Sequence, residues 1–155
     1  MKVKKPSHKK ILKDDTDKKR SGMCNGYPVF CFRFLTPNDH YNFSKLTSKN
    51  AIALMNKIEQ IAREEWTIHF LNPKNVGLET LPYEQLNFNV KNDEIKFGEE
   101  GKEKYEKKKI TKDTKIIVFR FNNQRYRILG IKREGCSIFH VIGIDVDHSA
   151  YNHGT

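Results

Sequence analysis

The chain has 155 residues, of which 37% are hydrophobic and 31% charged, a size that suits one globular domain with tails and excludes two full domains. The 29 lysines and arginines outnumber the 19 aspartates and glutamates, and this net charge of +10 favours polyanions, above all nucleic acid, as partners. No stretch approaches the ~20 apolar residues of a membrane helix, and the first residues lack the ~7–15-residue apolar core of a signal peptide, so we expect a cytoplasmic protein without membrane contact.

A basic tail is predicted over residues 1–22. Nine lysines and arginines and three aspartates occur among the first 20 residues, with almost no large apolar side chain, so burial cannot offset the entropy of ordering. We expect residues 23–155 to form a single domain. The tail residues predicted to contact nucleic acid are Lys4, Lys5, Lys9, Lys10, Lys18, Lys19 and Arg20.

The cysteine pattern argues against a disulfide framework and against a structural zinc site. Cys24, Cys31 and Cys136 form no CxxC pair and leave one cysteine over. We therefore predict buried, inert thiols in a reducing compartment. The sequence predicts no cofactor.

The first predicted strand covers residues 27–35, where Phe30, Phe32 and Phe34 alternate with other side chains in a pattern typical of a largely buried strand. A helix is then predicted over residues 49–65, capped by Thr47 or Ser48. Its apolar residues recur at three- and four-residue steps and are expected to pack on the core. They are Ile52, Met55, Ile58, Ile61, Ala62 and Trp66.

Weaker patterns follow the helix. Residues 67–71 are compatible with a short strand, and residues 85–90 alternate as a strand whose Leu86, Phe88 and Val90 would face inward. Residues 91–113 mix both signs of charge around two glycines, which indicates either a solvated hairpin or a disordered loop.

The last forty residues carry the most regular pattern. Runs rich in β-branched residues at 115–121, 125–131 and 137–145 are separated by short polar loops, which predicts an antiparallel three-strand meander. Together the elements predict a single α+β domain with a mainly antiparallel sheet and one principal helix.

Two histidines lie in apolar surroundings. His140 shares a predicted strand face with Ile138, Ile142 and Ile144, and His69 lies between Ile68 and Phe70. A histidine in such a place is most often a hydrogen-bonded core residue, which is the expected role of both. Catalysis is the alternative for His140.

Titratable side chains are concentrated in residues 145–153, directly after a predicted strand. Asp145, His148 and Tyr151 are the candidate functional residues there, joined by His140 and Arg127, because carboxylates, imidazoles and phenols can exchange protons. We expect His148 and Tyr151 to be surface residues. The structural alternative is that Asp147 and His148 cap a turn and Tyr151 packs on the sheet. The spacing matches no strong metal-binding signature.

Two arginines on the second strand of the meander are candidates for binding phosphate. Arg125 and Arg127 are two residues apart and are expected to project from one face, which suits a forked grip on phosphate. The alternative for Arg127 is a surface ion pair with Asp145 or Glu134.

The segments RYRILGI (125–131) and IFHVIGIDVDHSAY (138–151) resemble an uncharacterised group of short bacterial and mobile-element proteins that end in the pattern F-H/Y-V-x-x-I/L-D-x-x-H-x-x-Y. An early F-x-F strand followed by a helix matches the layout of that group. More distantly, a helix followed by such a meander looks like the RelE/ParE superfamily of toxins. In that superfamily, ribosome-dependent ribonucleases use basic, histidine and tyrosine side chains on the sheet.

The resemblance implies metal-independent RNA cleavage. His140 or His148 would take the 2′-hydroxyl proton, Arg125 or Arg127 would stabilise the charged phosphorane, and Tyr151 or a second histidine would assist the leaving oxygen. RNA is then the expected nucleic acid rather than DNA, and an antitoxin is a candidate protein partner. The competing hypothesis is a non-enzymatic binding module, such as a phage or mobile-element regulator or inhibitor. The two differ in whether His140, His148 and Arg127 share one concave surface.

Overall fold

The computed structural model describes residues 26–72, 77–90, 94–97, 106–133 and 135–152. The predicted basic tail and its seven nucleic-acid-binding candidates lie outside these ranges, as do Cys24 and His153. None of the helices in the described ranges has the length and apolar character needed to cross a membrane.

A five-stranded sheet with one long helix on one face forms the centre of the fold. In chain order the described elements are β1 (Val29–Cys31), α1 (Ser48–Ala62), α2 (Trp66–Leu71), β2 (Leu78–Pro82), β3 (Glu94–Phe97), β4 (Glu106–Lys109), β5 (Lys115–Phe121), β6 (Tyr126–Lys132) and β7 (Ile138–Asp145). The strand order of the sheet is β1-β7-β6-β5-β2, and β3 and β4 form a separate antiparallel pair. Short 3₁₀ turns precede the long helix and follow β2.

The predicted fold class is confirmed. Strands β5, β6 and β7 form the antiparallel C-terminal meander, β2 joins it antiparallel to β5, and only β1 runs parallel to its neighbour β7. The α1 helix, with 15 residues, is the principal helix of this single α+β domain.

Apolar side chains fill both faces of the sheet. On the helix side, Trp66, Phe119 and Phe139 meet at ring-centroid distances of 5.6–6.0 Å and pack with Leu54 and Ile61 of the helical segment. On the opposite side, loop residues cover the sheet, and Tyr41 stacks on Phe88 at 4.7 Å. Because both faces are covered, the strands of the meander are almost wholly buried.

The predicted strand over residues 27–35 was wrong in length and in burial. Only Val29–Cys31 is a strand, and both Val29 and Phe32 are exposed. β1 is an edge strand whose one partner is β7, so part of its surface has no neighbouring element to cover it.

The predicted helix begins as expected, with the Thr47 side chain accepting from the Asn50 amide at 3.2 Å, but it ends at Ala62. Trp66 begins a second helix, so the strand suggested for residues 67–71 was wrong. Ile52 and Met55 are exposed rather than buried. The helix carries apolar residues around much of its circumference. The side with Leu54 and Ile61 is buried because that side faces the sheet.

Two further predictions need correction. Residues 85–90 form no strand; a single bridge joins Leu86 to Tyr151, although Phe88 and Val90 are buried as expected. The described cysteines, Cys31 and Cys136, are free but only half-buried. Within residues 91–113, the pairing of β3 with β4 agrees with the hairpin interpretation.

Candidate active site

Charged side chains from four neighbouring strands meet at one end of the sheet, on the face opposite the long helix. Arg120 of β5 lies directly across from Arg127 of β6, and Arg127 lies directly across from Asp145 of β7. Glu79 of β2 lies across from Val118 of β5. Val118 is two residues from Arg120, so both side chains project from the same face of the sheet. The sheet therefore places two cations and two anions side by side.

A β-bulge in β7 brings Asp145 onto this face. Leu129 pairs with Gly143 but Gly130 pairs with Val141, so Ile142 is an extra residue in β7. The extra residue reverses the alternation beyond it, and Ile144 packs on the helix side of the sheet. The prediction that Ile144 shares a face with His140 was therefore wrong, because it assumed unbroken alternation.

Asp145 is completely buried and holds the loop that follows β7. Its Oδ1 accepts the amide N–H groups of Asp147 and Ser149, each at 3.2 Å, and its Oδ2 accepts that of Ala150 at 3.1 Å. A carboxylate that accepts three backbone donors fixes the path of this loop. Asp145 thus positions His148 and Tyr151 and does not itself line the cavity beside them.

Glu79 connects the other residues of this cluster through its carboxylate. Its Oε2 accepts from Arg120 Nη2 at 2.9 Å, its Oε1 accepts the hydroxyl hydrogen of Tyr151, and Arg127 Nε lies 3.9 Å from the same Oε1. Glu79 is 9% exposed, so its charge is stabilised by these partners rather than by bulk water. Sequence reasoning missed it, because only its place beside Leu81 on a short alternating segment hints at an inward-facing carboxylate.

Arg127 is buried, with 4% of its surface exposed, which does not fit the alternative of a surface ion pair; Glu134, one of the two partners considered for it, lies outside the described residues. Arg127 Nε donates to Tyr151 Oη at 3.4 Å, and its Nη1 donates to the carbonyl oxygens of Gln124 and Tyr126. These bonds hold the guanidinium in a fixed orientation at the base of the site.

Tyr151 is 7% exposed, which corrects the expectation of a surface residue. Burial, together with the hydrogen bond to Glu79, raises the pKa of Tyr151 to about 12. The phenol therefore keeps its hydrogen at neutral pH.

A cavity of about 400 Å³ opens over the cluster and brings together several of the predicted residues. His148 and Tyr151 border it from the C-terminal segment, and Arg120, Arg127 and Glu79 border it from the sheet. His148 is exposed and has φ of 60°, a left-handed conformation that non-glycine residues seldom adopt. The loop held by Asp145 thus places His148 at the cavity that Arg120 and Arg127 also border.

His140 does not belong to this site, so His140, His148 and Arg127 do not share one concave surface; only His148 and Arg127 border the same cavity. His140 pairs with Ile131, four residues along β6 from Arg127, which corresponds to about 13 Å along the strand. Its ring packs edge-on against Phe34 at 5.4 Å, and burial lowers the pKa of His140. His69 is likewise a core residue, as predicted, with Nε2 2.8 Å from the Ile61 carbonyl oxygen.

The predicted pair of Arg125 and Arg127 does not form a fork. Arg125 is exposed and precedes the start of β6 at Tyr126, and it does not border the cavity. Arg120 replaces it, because β5 places Arg120 directly opposite Arg127. The two arginines that border the cavity come from two neighbouring strands, whereas the sequence pattern suggested two arginines on one strand.

A smaller polar cluster fixes the loop from its outer side. His40 Nε2 lies 2.6 Å from Asp147 Oδ2 and 3.2 Å from Ser149 Oγ, and Tyr41 Oη donates to the Ser149 carbonyl oxygen at 3.0 Å. Burial alone would raise the pKa of Asp147, but the hydrogen bond from Ser149 and the nearby His40 lower it below its usual value. This loop is therefore held from both sides.

In the parts of the chain that the structure describes, no three His, Cys, Asp or Glu side chains come together as a metal-binding group. No protein-family model matches this chain, and no curated protein or solved structure matches it either.

Proposed function

We propose that the protein is a metal-independent endoribonuclease of the RelE-like type implied by its sequence resemblance, and that its active site is the cavity over Glu79. The observation that carries the proposal is the convergence of Arg120, Arg127, His148 and Tyr151 on one concave surface. Phosphodiester cleavage requires a base that works near neutral pH, fixed positive charge and a proton donor, and these side chains can supply all three.

The two arginines are the groups suited to the phosphate. Guanidinium groups match the geometry of phosphate oxygens and remain charged at any physiological pH. Glu79 and the carbonyl oxygens around Arg127 orient both groups before substrate arrives, which lowers the cost of ordering them in the transition state.

His148 is the proposed general base, because it is the one histidine among the described residues that borders the cavity. In the proposed step its imidazole accepts the proton of a 2′-hydroxyl, the 2′-oxygen bonds to phosphorus, and the bond from phosphorus to the 5′-oxygen breaks. The products are a 2′,3′-cyclic phosphate and a free 5′-hydroxyl.

Tyr151 is the proposed proton donor to the leaving 5′-oxygen, and for this step its hydroxyl group turns its hydrogen from Glu79 to the substrate. An alkoxide is a stronger base than a phenolate, so a phenol with a pKa of about 12 can still protonate it. Solvent then returns a proton to the phenolate, and His148 releases the proton that it accepted.

The test is incubation of the full chain with a single-stranded RNA oligonucleotide in excess EDTA, alongside the same oligonucleotide carrying 2′-O-methyl groups. The proposal expects cleavage of the first into fragments ending in 2′,3′-cyclic phosphate and no cleavage of the second. An RNA that binds the protein but stays intact, both free and as a ribosome-bound message in Mg²⁺, would contradict the enzymatic proposal and favour the binding module.

A further inference from the structure

A second cavity, of about 330 Å³, lies between α1 and the turn that joins β5 to β6. Its helix wall includes Lys57 and Gln60, and its other wall includes Asn123 and Gln124. Arg120 borders this cavity as well as the one over Glu79. The two cavities are therefore neighbours that share Arg120 as a lining residue.

The register of the sheet places Arg120 beyond the end of its pairing with the edge strand, at the boundary between the two cavities. Leu78, the first residue of β2, pairs with Phe119, so Arg120 extends past the start of the edge strand. Its Nη2 donates to Glu79, while its Nε is buried and has no hydrogen-bond partner among the described residues. A buried donor of this kind is costly unless something accepts its hydrogen.

Both charged residues that border the second cavity are cationic. They are Lys57 and Arg120, and no carboxylate of the described residues borders the cavity, although Glu79 pairs with Arg120 from the neighbouring one. Burial lowers the pKa of Lys57, although the charge of Glu64 works in the opposite direction. An anion that entered the cavity would stabilise this partly desolvated ammonium group.

The remaining lining is rich in carboxamides, contributed by Asn56 and Gln60 of the helix and by the turn. Each carboxamide offers both a donor and an acceptor, the combination that reads the edge of a nucleobase. The turn residues Asn122, Asn123 and Gln124 have φ values of 49°, 54° and 65°, a run of left-handed conformations that residues other than glycine seldom adopt.

We propose that this second cavity binds one nucleotide of an RNA chain, adjacent to the nucleotide whose phosphate occupies the cavity over Glu79. Lys57 and Arg120 would contact its phosphate, and the carboxamides would contact the edge of its base. This inference rests on the proposed function, because the nucleotide in the second cavity belongs to the same RNA chain that would be cleaved in the first.

The test titrates the full chain separately with adenosine 5′-monophosphate, inorganic phosphate and adenosine. The NMR signals of the backbone amides report binding in each titration. We expect the monophosphate to shift the signals of Asn123 and Gln124 and to bind more tightly than either fragment. Lys57→Met should weaken this binding about tenfold, the effect of losing one charged hydrogen bond. The matched control is Lys49→Met, which removes the same charge from an exposed position of the same helix.

Equal affinities of Lys57→Met and Lys49→Met for the monophosphate would overturn the site, and so would inorganic phosphate binding as tightly as the nucleotide. A dinucleotide with a 2′-O-methyl group at its internal position should shift the signals of both His148 and Asn123. Shifts confined to one of them would overturn the proposed adjacency.

These results separate the two proposals, because neither the monophosphate nor the methylated dinucleotide can be cleaved by 2′-hydroxyl attack. If the monophosphate binds at Lys57 but RNA stays intact, the cleavage proposal fails and the nucleotide site stands. If RNA is cleaved and the Lys57 variant binds the monophosphate like its control, the nucleotide site fails and the cleavage proposal stands.

Discussion

The hydroxyl group of Tyr151 donates its hydrogen to the carboxylate of Glu79, which lies 72 residues earlier in the chain. This bond fastens the C-terminal segment to the edge strand β2 and brings a phenol to the floor of the cavity. Since Glu79 also accepts from Arg120, one buried carboxylate orients an acidic and a basic group together. The same contact therefore contributes to stability and to the geometry of the site.

Tyr151→Phe removes this hydroxyl group and leaves the ring in place. The buried Glu79 carboxylate loses a donor, and we expect the free energy of unfolding to fall by about 2 kcal/mol. Urea denaturation measures the change. Tyr126→Phe is the matched control, because Tyr126 is half-buried and packs its ring on Phe121 outside the cluster. Equal stabilities of the two variants would show that the bond to Glu79 contributes nothing.

The raised pKa of Tyr151 makes stability depend on alkaline pH. The unfolded chain releases the phenolic proton near pH 10, whereas the folded protein keeps it until about pH 12. The native state binds more protons between these values, so this contribution is complete below pH 10 and declines as the pH rises to about 12. Unfolding free energies of wild type and Tyr151→Phe, compared between pH 9 and 12, should converge. Parallel curves would contradict the assigned pKa.

Asp145→Asn is expected to loosen the loop that carries His148. An amide oxygen cannot replace both carboxylate oxygens as acceptors, so at least one backbone N–H loses its partner, at a cost of about 3 kcal/mol. Hydrogen exchange at the Ser149 and Ala150 amides should accelerate. Asp147→Asn, at an exposed position in the same loop, is the control and should cost less. A fully protected Ala150 amide in Asp145→Asn would refute this role.

The meander was predictable because its signals are local. Alternation within each run and short polar loops between runs determine neighbouring antiparallel strands, and β5 begins and ends where the sequence places it. His148 and Tyr151 were identified for a similar reason, since they follow directly after a strand. Both predictions needed only patterns of residues that are close together in the sequence.

What sequence reasoning missed depends on long-range contacts. Glu79 belongs to the site because β2 pairs with β5, and no local pattern indicates that pairing. Arg120 was passed over because its partner Arg127 lies on another strand, and the bulge at Ile142 became visible only through the register with β6. The burial of Tyr151 likewise comes from contacts with distant parts of the chain.

The predicted tail at residues 1–22 supports a separate prediction. Its lysines and arginines would each release counterions on meeting phosphate, so RNA binding by the full chain should weaken steeply as salt rises. Deletion of residues 1–20 should flatten this dependence and lower the melting temperature by no more than a few degrees. Binding measured by fluorescence anisotropy at several salt concentrations tests it. An unchanged slope after the deletion would exclude a contribution of the tail to RNA affinity.

The most direct test of the proposed site compares the RNA cleavage rates of two histidine variants with that of wild type in EDTA. His148→Asn suits this purpose, because asparagine tolerates the left-handed conformation of this residue and cannot act as a base near neutral pH. We expect it to lose about 100-fold or more in rate while its stability changes by no more than about 1 kcal/mol. His140→Gln should keep the wild-type rate per folded molecule, because His140 lies outside the cavity. A wild-type rate in His148→Asn, or an equal loss in His140→Gln, would contradict the assignment.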